Sequence, residues 1–465
     1  MSFEAAIAKE QGCPLNAPNG TEPAPAISTA QLDVIVILLL SLSDHTRISS
    51  TFSFHTMAGI LSQVPVVNRL LGLASARQSI DVPPVEVHSI ETDPDRRARC
   101  LKHLLKANHA NYSIVYHNLQ FDNHNPHVLS SAYLLGASVS HLNDIYDKQI
   151  VELEPWVPSP AEIGDDDWEE LRGDRRYQRA YVDYFEDKLV MRFNYDWRQE
   201  LVHYLFTGDE PLWHGLIGGL GHPLIHLGYA YEMDCKEVAM EALGLACVQY
   251  NFFHKYIDNK SYTKKASFTS DSPLQLLIKM SKDERFNALP EHPALDDLPD
   301  IFEKHEDLIL EYWNSWEIND PLKQFEMSQE AAVAILVATV QPGTHAFDFF
   351  LVHLLTTSHA VRILLPFFPK EHHITLVREW WLLVLAIFIV RGRPLPNSDN
   401  VDSDPKGRDW KYVVDKALNS SWSTDSHYVK AIRAMKEASK TWGDDNNRYL
   451  LAALTFVDNF QGWTF

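Results

Sequence analysis

Through long stretches of this chain, such as residues 327–340 and 375–390, apolar residues recur at i, i+3, i+4 and i+7. That spacing lays one apolar stripe along a helix, whereas a strand alternates its faces every second residue. Only 85–90 (VEVHSI) alternates well enough to be expected as a strand. Three segments break the helical pattern: 155–166 (PWVPSPAEIGDD), 287–300 with Pro290, Pro293 and Pro299, and 392–407, rich in Pro, Asp, Asn and Ser. No fixed-period repeat is present, and the chemistry-bearing segments are scattered over most of the chain. The expected fold is all-α: a single large multi-helix domain with irregular loops over 29–465, behind a flexible N-terminal tail, 1–28.

Charge excludes two classes of partner. Lys and Arg number 41 against 62 Asp and Glu, a net charge of −21. Such a surface repels phosphates, so neither nucleic acid nor an anionic membrane is expected. The most apolar runs, 34–42 and 380–390, are too short to span a bilayer and read as buried helices. The start of the chain lacks the basic and apolar regions of a signal peptide. Cys13, Cys100, Cys235 and Cys247 form no C-x-x-C pair, so neither a thiolate zinc site nor a disulfide framework is expected. A cytoplasmic protein follows, with a surface compatible with a monomer or a homodimer.

The 22 histidines are the unusual feature. In FDNHNPH (121–127), Pro126 suits a first helical turn; His124 then stands at the helix start and His127 in its first turn, which also fits a plain polar cap. In GHPLIHLGYA (221–230), His222 and His226 are four apart and share a helix face. Pro223 occupies the place of the Glu in H-E-x-x-H, so a zinc peptidase is excluded, and two hydrogen-bonded core histidines are the plain alternative. In THAFDFFLVH (344–353), His353 sits in an apolar run and needs a partner, whether carbonyl, hydroxyl or metal. Asp348 is a candidate to orient an imidazole. In SHYVKAIRAM (426–435), capped by Asp425 or Ser426, His427 and Lys430 are three apart on one face. Taken alone, that segment reads as a solvated face.

Other templates fit less well. A carboxylate-bridged di-iron bundle needs two E-x-x-H motifs, and one good match occurs, Glu200 to His203. The aspartate-rich DDLPD (296–300) contains Pro299, expected to break the helix that would present it, and is read as a loop. GGLG (218–221) leads into a helix without the βαβ context of a dinucleotide fold.

Together the segments NHNPHVLSSAYLLGAS from Asn123, GHPLIHLGYAYE from Gly221 and DFFLVHLLTTSHAVRILLP from Asp348, with Arg391-Gly392-Arg393-Pro394 and the late His-x-x-Lys, resemble fungal questin oxidase-like proteins in kind and order. The resemblance runs from about residue 100 onward. It implies a mostly helical oxygenase of secondary metabolism that opens a ring of an anthraquinone-type aromatic polyketide. It further implies non-haem Fe(2+) with O2 as co-substrate, held by His124, His222, His353, His427 and a carboxylated Lys430. His226, His127, His345 and His359 are reserve candidates, with His226 and Lys430 as the catalytic pair. Phe349, Phe350, Trp380, Trp381 and Arg393 are candidates to bind the flat substrate, although each aromatic also fits ordinary core packing. Two alternatives stay open: an NADPH-dependent Baeyer–Villiger monooxygenase on the same substrates, and a non-catalytic helical binding protein.

Overall fold

A computed structural model describes residues 79–289, 293–344 and 346–465, all within one compact unit. The tail 1–28, the 34–42 run, Cys13, Pro290 and His345 lie outside the described residues. Sixteen α-helices carry the described fold: α1 (Arg96–Asn111), α2 (Asn125–Leu135), α3 (Val139–Gln149), α4 (Gln178–Met191), α5 (Trp197–Phe206), α6 (His222–Met233), α7 (Lys236–Val248), α8 (His254–Asp258), α9 (Pro273–Ser281), α10 (Leu298–Ser315), α11 (Pro321–Val337), α12 (Val352–Leu364), α13 (His373–Val390), α14 (Trp410–Asn419), α15 (Ser426–Trp442) and α16 (Arg448–Asn459). The only sheets among the described residues are two-residue ladders. β1 (Val115–Tyr116) runs antiparallel to β2 (Phe121–Asp122), and β3 (Phe347–Asp348) parallel to β4 (Trp463–Thr464). The fold is all-α.

Helices that are apolar on every side must be central. Every residue of α6 and α12 is buried, and every residue of α7 after Lys236. So is most of α13, the one described helix long and apolar enough by composition to cross a membrane; 83% of its most apolar window lies inside the protein. Four helices define the functional region. α2 packs on α6 and α15, and α12 packs on the same two. All four begin at one end, because each has a local start signal there. Asn123 Oδ1 accepts from the Asn125 N–H (3.0 Å), and Pro126 follows in the first turn of α2. Gly221 and Pro223 start α6. Asp348 Oδ1 accepts from the Phe350 and Leu351 N–H groups (2.8 and 2.9 Å) ahead of α12, and Asp425 caps α15 through the Tyr428 N–H (2.8 Å).

Two local expectations fail. Residues 85–90 form no ladder. The His88 N–H donates instead to the Glu232 carbonyl (2.7 Å), so alternation here reflects one extended segment lying on α6. Pro299 opens α10 rather than breaking a helix, as its missing N–H permits in a first turn.

Candidate metal centre

The start of each of the four helices carries a histidine. His124 is the N-cap residue of α2 and His222 the first residue of α6, while His353 and His427 are the second residues of α12 and α15. The structure brings the four rings together. Ring centres are 4.7 Å apart for His124 and His222, 4.6 Å for His124 and His427, and 5.0 Å both for His222 and His353 and for His353 and His427. His222, His353 and His427 are buried, and His124 is the most accessible.

Hydrogen bonding fixes which nitrogens face inward. Nδ1 lies 2.5 Å from the Asp122 carbonyl in His124, 2.5 Å from the Gly219 carbonyl in His222 and 3.0 Å from the Phe349 carbonyl in His353. A carbonyl only accepts, so all three Nδ1 atoms carry the proton, and each neutral ring keeps a bare Nε2. His427 Nδ1 lies 3.2 Å from Ser426 Oγ. The Nε2 atoms then face one another, 2.9 Å apart for His124 and His222 and 3.3 Å for His353 and His427. At such separations each pair is held by one shared N–H or by a cation among the nitrogens. Burial, followed by the positive charges nearby, holds His124, His353 and His427 well below the ordinary histidine range, which favours their neutral, metal-binding form over protonation. The positive ends of four helices oppose it further. Nitrogen ligands at right angles around a metal with ~2.1 Å bonds sit roughly 3 Å apart, so the donor set fits a metal ion.

Lys430 lies one turn along α15. It is 1% exposed, and its Nζ has no hydrogen-bond partner among the described residues. Burial lowers its pKa to about 7, against the pull of Asp425 and Asp122. A void of about 10 Å³, room for one water-sized group, adjoins it between Tyr229, Thr356 and His359.

Asp122, given no role from the sequence, supports the site: its Oδ2 is 3.0 Å from His222 Nδ1, and Gln249 donates to its Oδ1 (2.8 Å). The turn before α6 is pinned as well. Gly221 has φ +78°, and a Cβ there would lie 2.5 Å from Thr357 Cγ2. Gly221→Ala is expected to cost about 1–3 kcal/mol and to displace His222; urea unfolding and metal content of the purified variant check both effects.

Several candidates lie elsewhere. His226 is not in the four-ring group. Its Nδ1 meets His127 Nε2 (2.9 Å) and its Nε2 meets Glu241 (2.8 Å), because four residues along α6 carry it a full turn below His222. Trp380 and Trp381 are core residues beside Trp316, with their N–H groups donating to the Leu354 and Tyr312 carbonyls. Arg393 lies over the Phe286 ring, 5.1 Å away. Phe349 does reach the site, 4.5 Å from the His427 ring and stacked on Phe465 at 4.6 Å. Phe350 lies beneath Arg391. Asp348 orients no imidazole directly; it pairs with Arg391 (2.6 Å) and caps the turn whose carbonyl holds His353. His359 Nε2 is buried with no hydrogen-bond partner among the described residues. Glu200 is buried with neither oxygen hydrogen-bonded among the described residues, whereas His203 packs against Phe193 and edge-on to Tyr204, so this E-x-x-H pair shares no site. The segment around His427 and Lys430 is buried, not a solvated face.

Comparison with known proteins covers the same region. The chain is 23% identical over 391 residues to the Baeyer-Villiger oxidase mdpL of Emericella nidulans, spanning 78% of this chain and 86% of that protein. It is 25% identical over 380 residues to the Questin oxidase of Aspergillus fumigatus, spanning 74% and 82%. The Baeyer-Villiger oxidase AgnL3 of Paecilomyces divaricatus is 32% identical over a shorter stretch, 161 residues, about a third of each chain. The Questin oxidase-like family model matches residues 121–435, a span that contains His124, His222, His353, His427 and Lys430, and the chain belongs to that family.

Proposed function

We propose that this protein is a non-haem iron-dependent oxygenase that opens a ring of an anthraquinone-type aromatic polyketide. The observation that carries this reading is the convergence of four imidazoles, three of them with Nδ1 turned to a backbone carbonyl, beside a buried lysine whose Nζ has no hydrogen-bond partner among the described residues. The names of the relatives supply the substrate class and the oxidative chemistry.

His124, His222, His353, His427 and Lys430 would hold the iron. When bound, Fe(2+) supplies the electron that lets O2 react with a closed-shell phenol, and imidazoles with one anionic oxygen suit it. Lys430 prepares that oxygen. Its amine attacks CO2, the new N–C bond takes the nitrogen lone pair, one N–H proton leaves, and a carbamate anion results. Burial favours the neutral amine that this step requires. Phe349, stacked on Phe465 and tilted against His427, is the aromatic side chain placed to border a flat substrate. The unpaired Cys100, Cys235 and Cys247 accord with a cytoplasmic enzyme.

A second reading follows from the relatives named Baeyer-Villiger oxidases: insertion of one oxygen atom with NADPH as reductant. The described residues contain no βαβ unit to cradle a dinucleotide. Turnover of a hydroxyanthraquinone under ¹⁸O2 separates the two. Two labelled atoms in the product without added reductant are expected; one labelled atom with strict NADPH dependence supports the monooxygenase instead.

A further inference from the structure

Three of the helices that begin at the four rings end around a separate pocket. Its volume is about 460 Å³, and it is bordered by the last turns of α2, α6 and α12, one face of α15 and the extended segment 83–88. α2 has 11 residues, so its length sets the pocket ~16 Å from the imidazoles. His124, His222, His353, His427 and Lys430 take no part in lining it.

The carboxyl ends of helices attract cations, and Arg97 is used in that way. Its Nε donates to the Ala137 carbonyl (2.7 Å) and its Nη2 to the Tyr133 carbonyl (2.5 Å). Two other arginines in the pocket are not spent on helix ends. Arg362 is 6% exposed; its Nε donates to Thr441 Oγ1 (3.0 Å), and its Nη1 has no hydrogen-bond partner among the described residues. Arg433 is 2% exposed; its Nη2 donates to Glu232 Oε1 (2.5 Å), while its Nε and Nη1 have no partner among the described residues. Glu232 Oε2 is the single unpaired acceptor among the described residues of this pocket, so donors outnumber it. Leaving a buried donor unpaired is costly, the more so on a charged group. Burial pulls the Arg362 pKa below the ordinary arginine value, and Glu437 and Glu232 do not make up the difference. The pocket therefore lacks an anionic acceptor.

The chemistry of that acceptor follows from the walls. Neighbouring guanidinium N–H groups match the paired oxygens of a carboxylate. Charge selects a monoanion, because Arg97, Arg362, Arg433 and Lys440 face Glu86, Glu232 and Glu437, one positive charge in excess. Pro83, Pro84 and Val85 form an apolar side, and Tyr133 lies edge-on to His88 with ring centres 5.9 Å apart. An inorganic anion leaves such walls uncovered, whereas a small organic acid fills a pocket of this size. We infer that the pocket is a binding site for a small aromatic monocarboxylate, with its two oxygens received by the unpaired N–H groups of Arg362 and Arg433 and its ring held between Tyr133 and the 83–85 segment. The inference stands apart from the oxygenase reading: it needs neither iron nor turnover.

The probe is para-benzoylbenzoate, an aromatic monocarboxylate whose ketone bonds to nearby C–H groups under near-ultraviolet light. It is irradiated with the full chain, and the points of attachment are read by peptide mass spectrometry. Attachment is expected within 83–88, 133–136 or 433–441. Excess benzoate should cut this labelling about tenfold or more, whereas benzamide, its uncharged counterpart, and inorganic phosphate at the same concentration should not. Arg362→Met, which loses one bond to Thr441 within the protein, should lower labelling of these segments by about tenfold or more. Circular dichroism establishes that the variant is folded, and the competition on wild-type protein decides the matter by itself if it is not. Labelling found only in other segments, protection by benzamide or phosphate as strong as by benzoate, or undiminished labelling of folded Arg362→Met overturns the inference.

Discussion

Lys430→Met yields a more stable and inactive protein. The wild-type amine is 1% exposed with no hydrogen bond among the described residues. Burying such a group unpaired costs about 1–3 kcal/mol, and an unbranched apolar chain of similar length removes that cost. The substitution is therefore expected to raise unfolding free energy by about 1–3 kcal/mol in urea denaturation. Under the proposed function it also removes the group that would become the anionic ligand, so turnover of a hydroxyanthraquinone should fall by about 10³-fold or more. A lysine kept only for packing gives the opposite pattern: stability falls and activity survives. Gain of stability with loss of function in one variant separates a functional residue from a structural one.

The second large effect is His109→Ala. It strips Glu241 of one partner and leaves the carboxylate buried with His226 alone. Breaking a buried pair from one side typically costs about 3–5 kcal/mol. The loss depends on pH, and its sign follows from the two shifts. Glu241 is held at about 2 instead of 4.5, so it adds stability above pH 4.5 that is lost as the pH falls through 2. His109 is raised from 6.5 to about 10, so its contribution is full below pH 6.5 and lost as the pH rises through 10. The pair stabilises most between pH 4.5 and 6.5. The deficit of His109→Ala should be greatest in that window and shrink toward pH 10. Urea unfolding of both proteins across that range checks it, and a deficit independent of pH contradicts the ion-pair account.

Much of the fold was legible because its signals are local. Pro126, Pro223, Asp348 and Asp425 mark the starts of four helices, and the apolar character of α12 and α13 announces burial. From such signals the sequence placed His124 and His427 at helix starts, whereas Pro223 and Asp348 were not read that way, and each segment was matched to a family. What spacing within a segment does not carry is which helix starts meet, since that depends on packing between residues as far apart as His124 and His427. His226 illustrates the limit. It shares a helix face with His222, yet one turn of α6 is enough to hand it to a different partner. Glu241 and His109 were missed for the same reason: nothing near either residue points to the other across 132 positions. The one local hint was a carboxylate, Glu241, set in the apolar run that follows Glu237 in α7. Trp380 and Trp381 erred the opposite way, since an aromatic pair in an apolar helix looks alike whether it lines a pocket or fills a core.

The central claim is that the four imidazoles and Lys430 surround an iron ion. The most direct measurement is an anomalous-scattering map at the iron edge from crystals of the anaerobically reconstituted protein. The expected result is a single strong peak within roughly 2.0–2.2 Å of Nε2 of His124, His222, His353 and His427, with added density on Lys430 Nζ reaching the same peak. An empty centre, or iron found only at the solvent-facing group of Glu210, His254 and Asp258, contradicts the account.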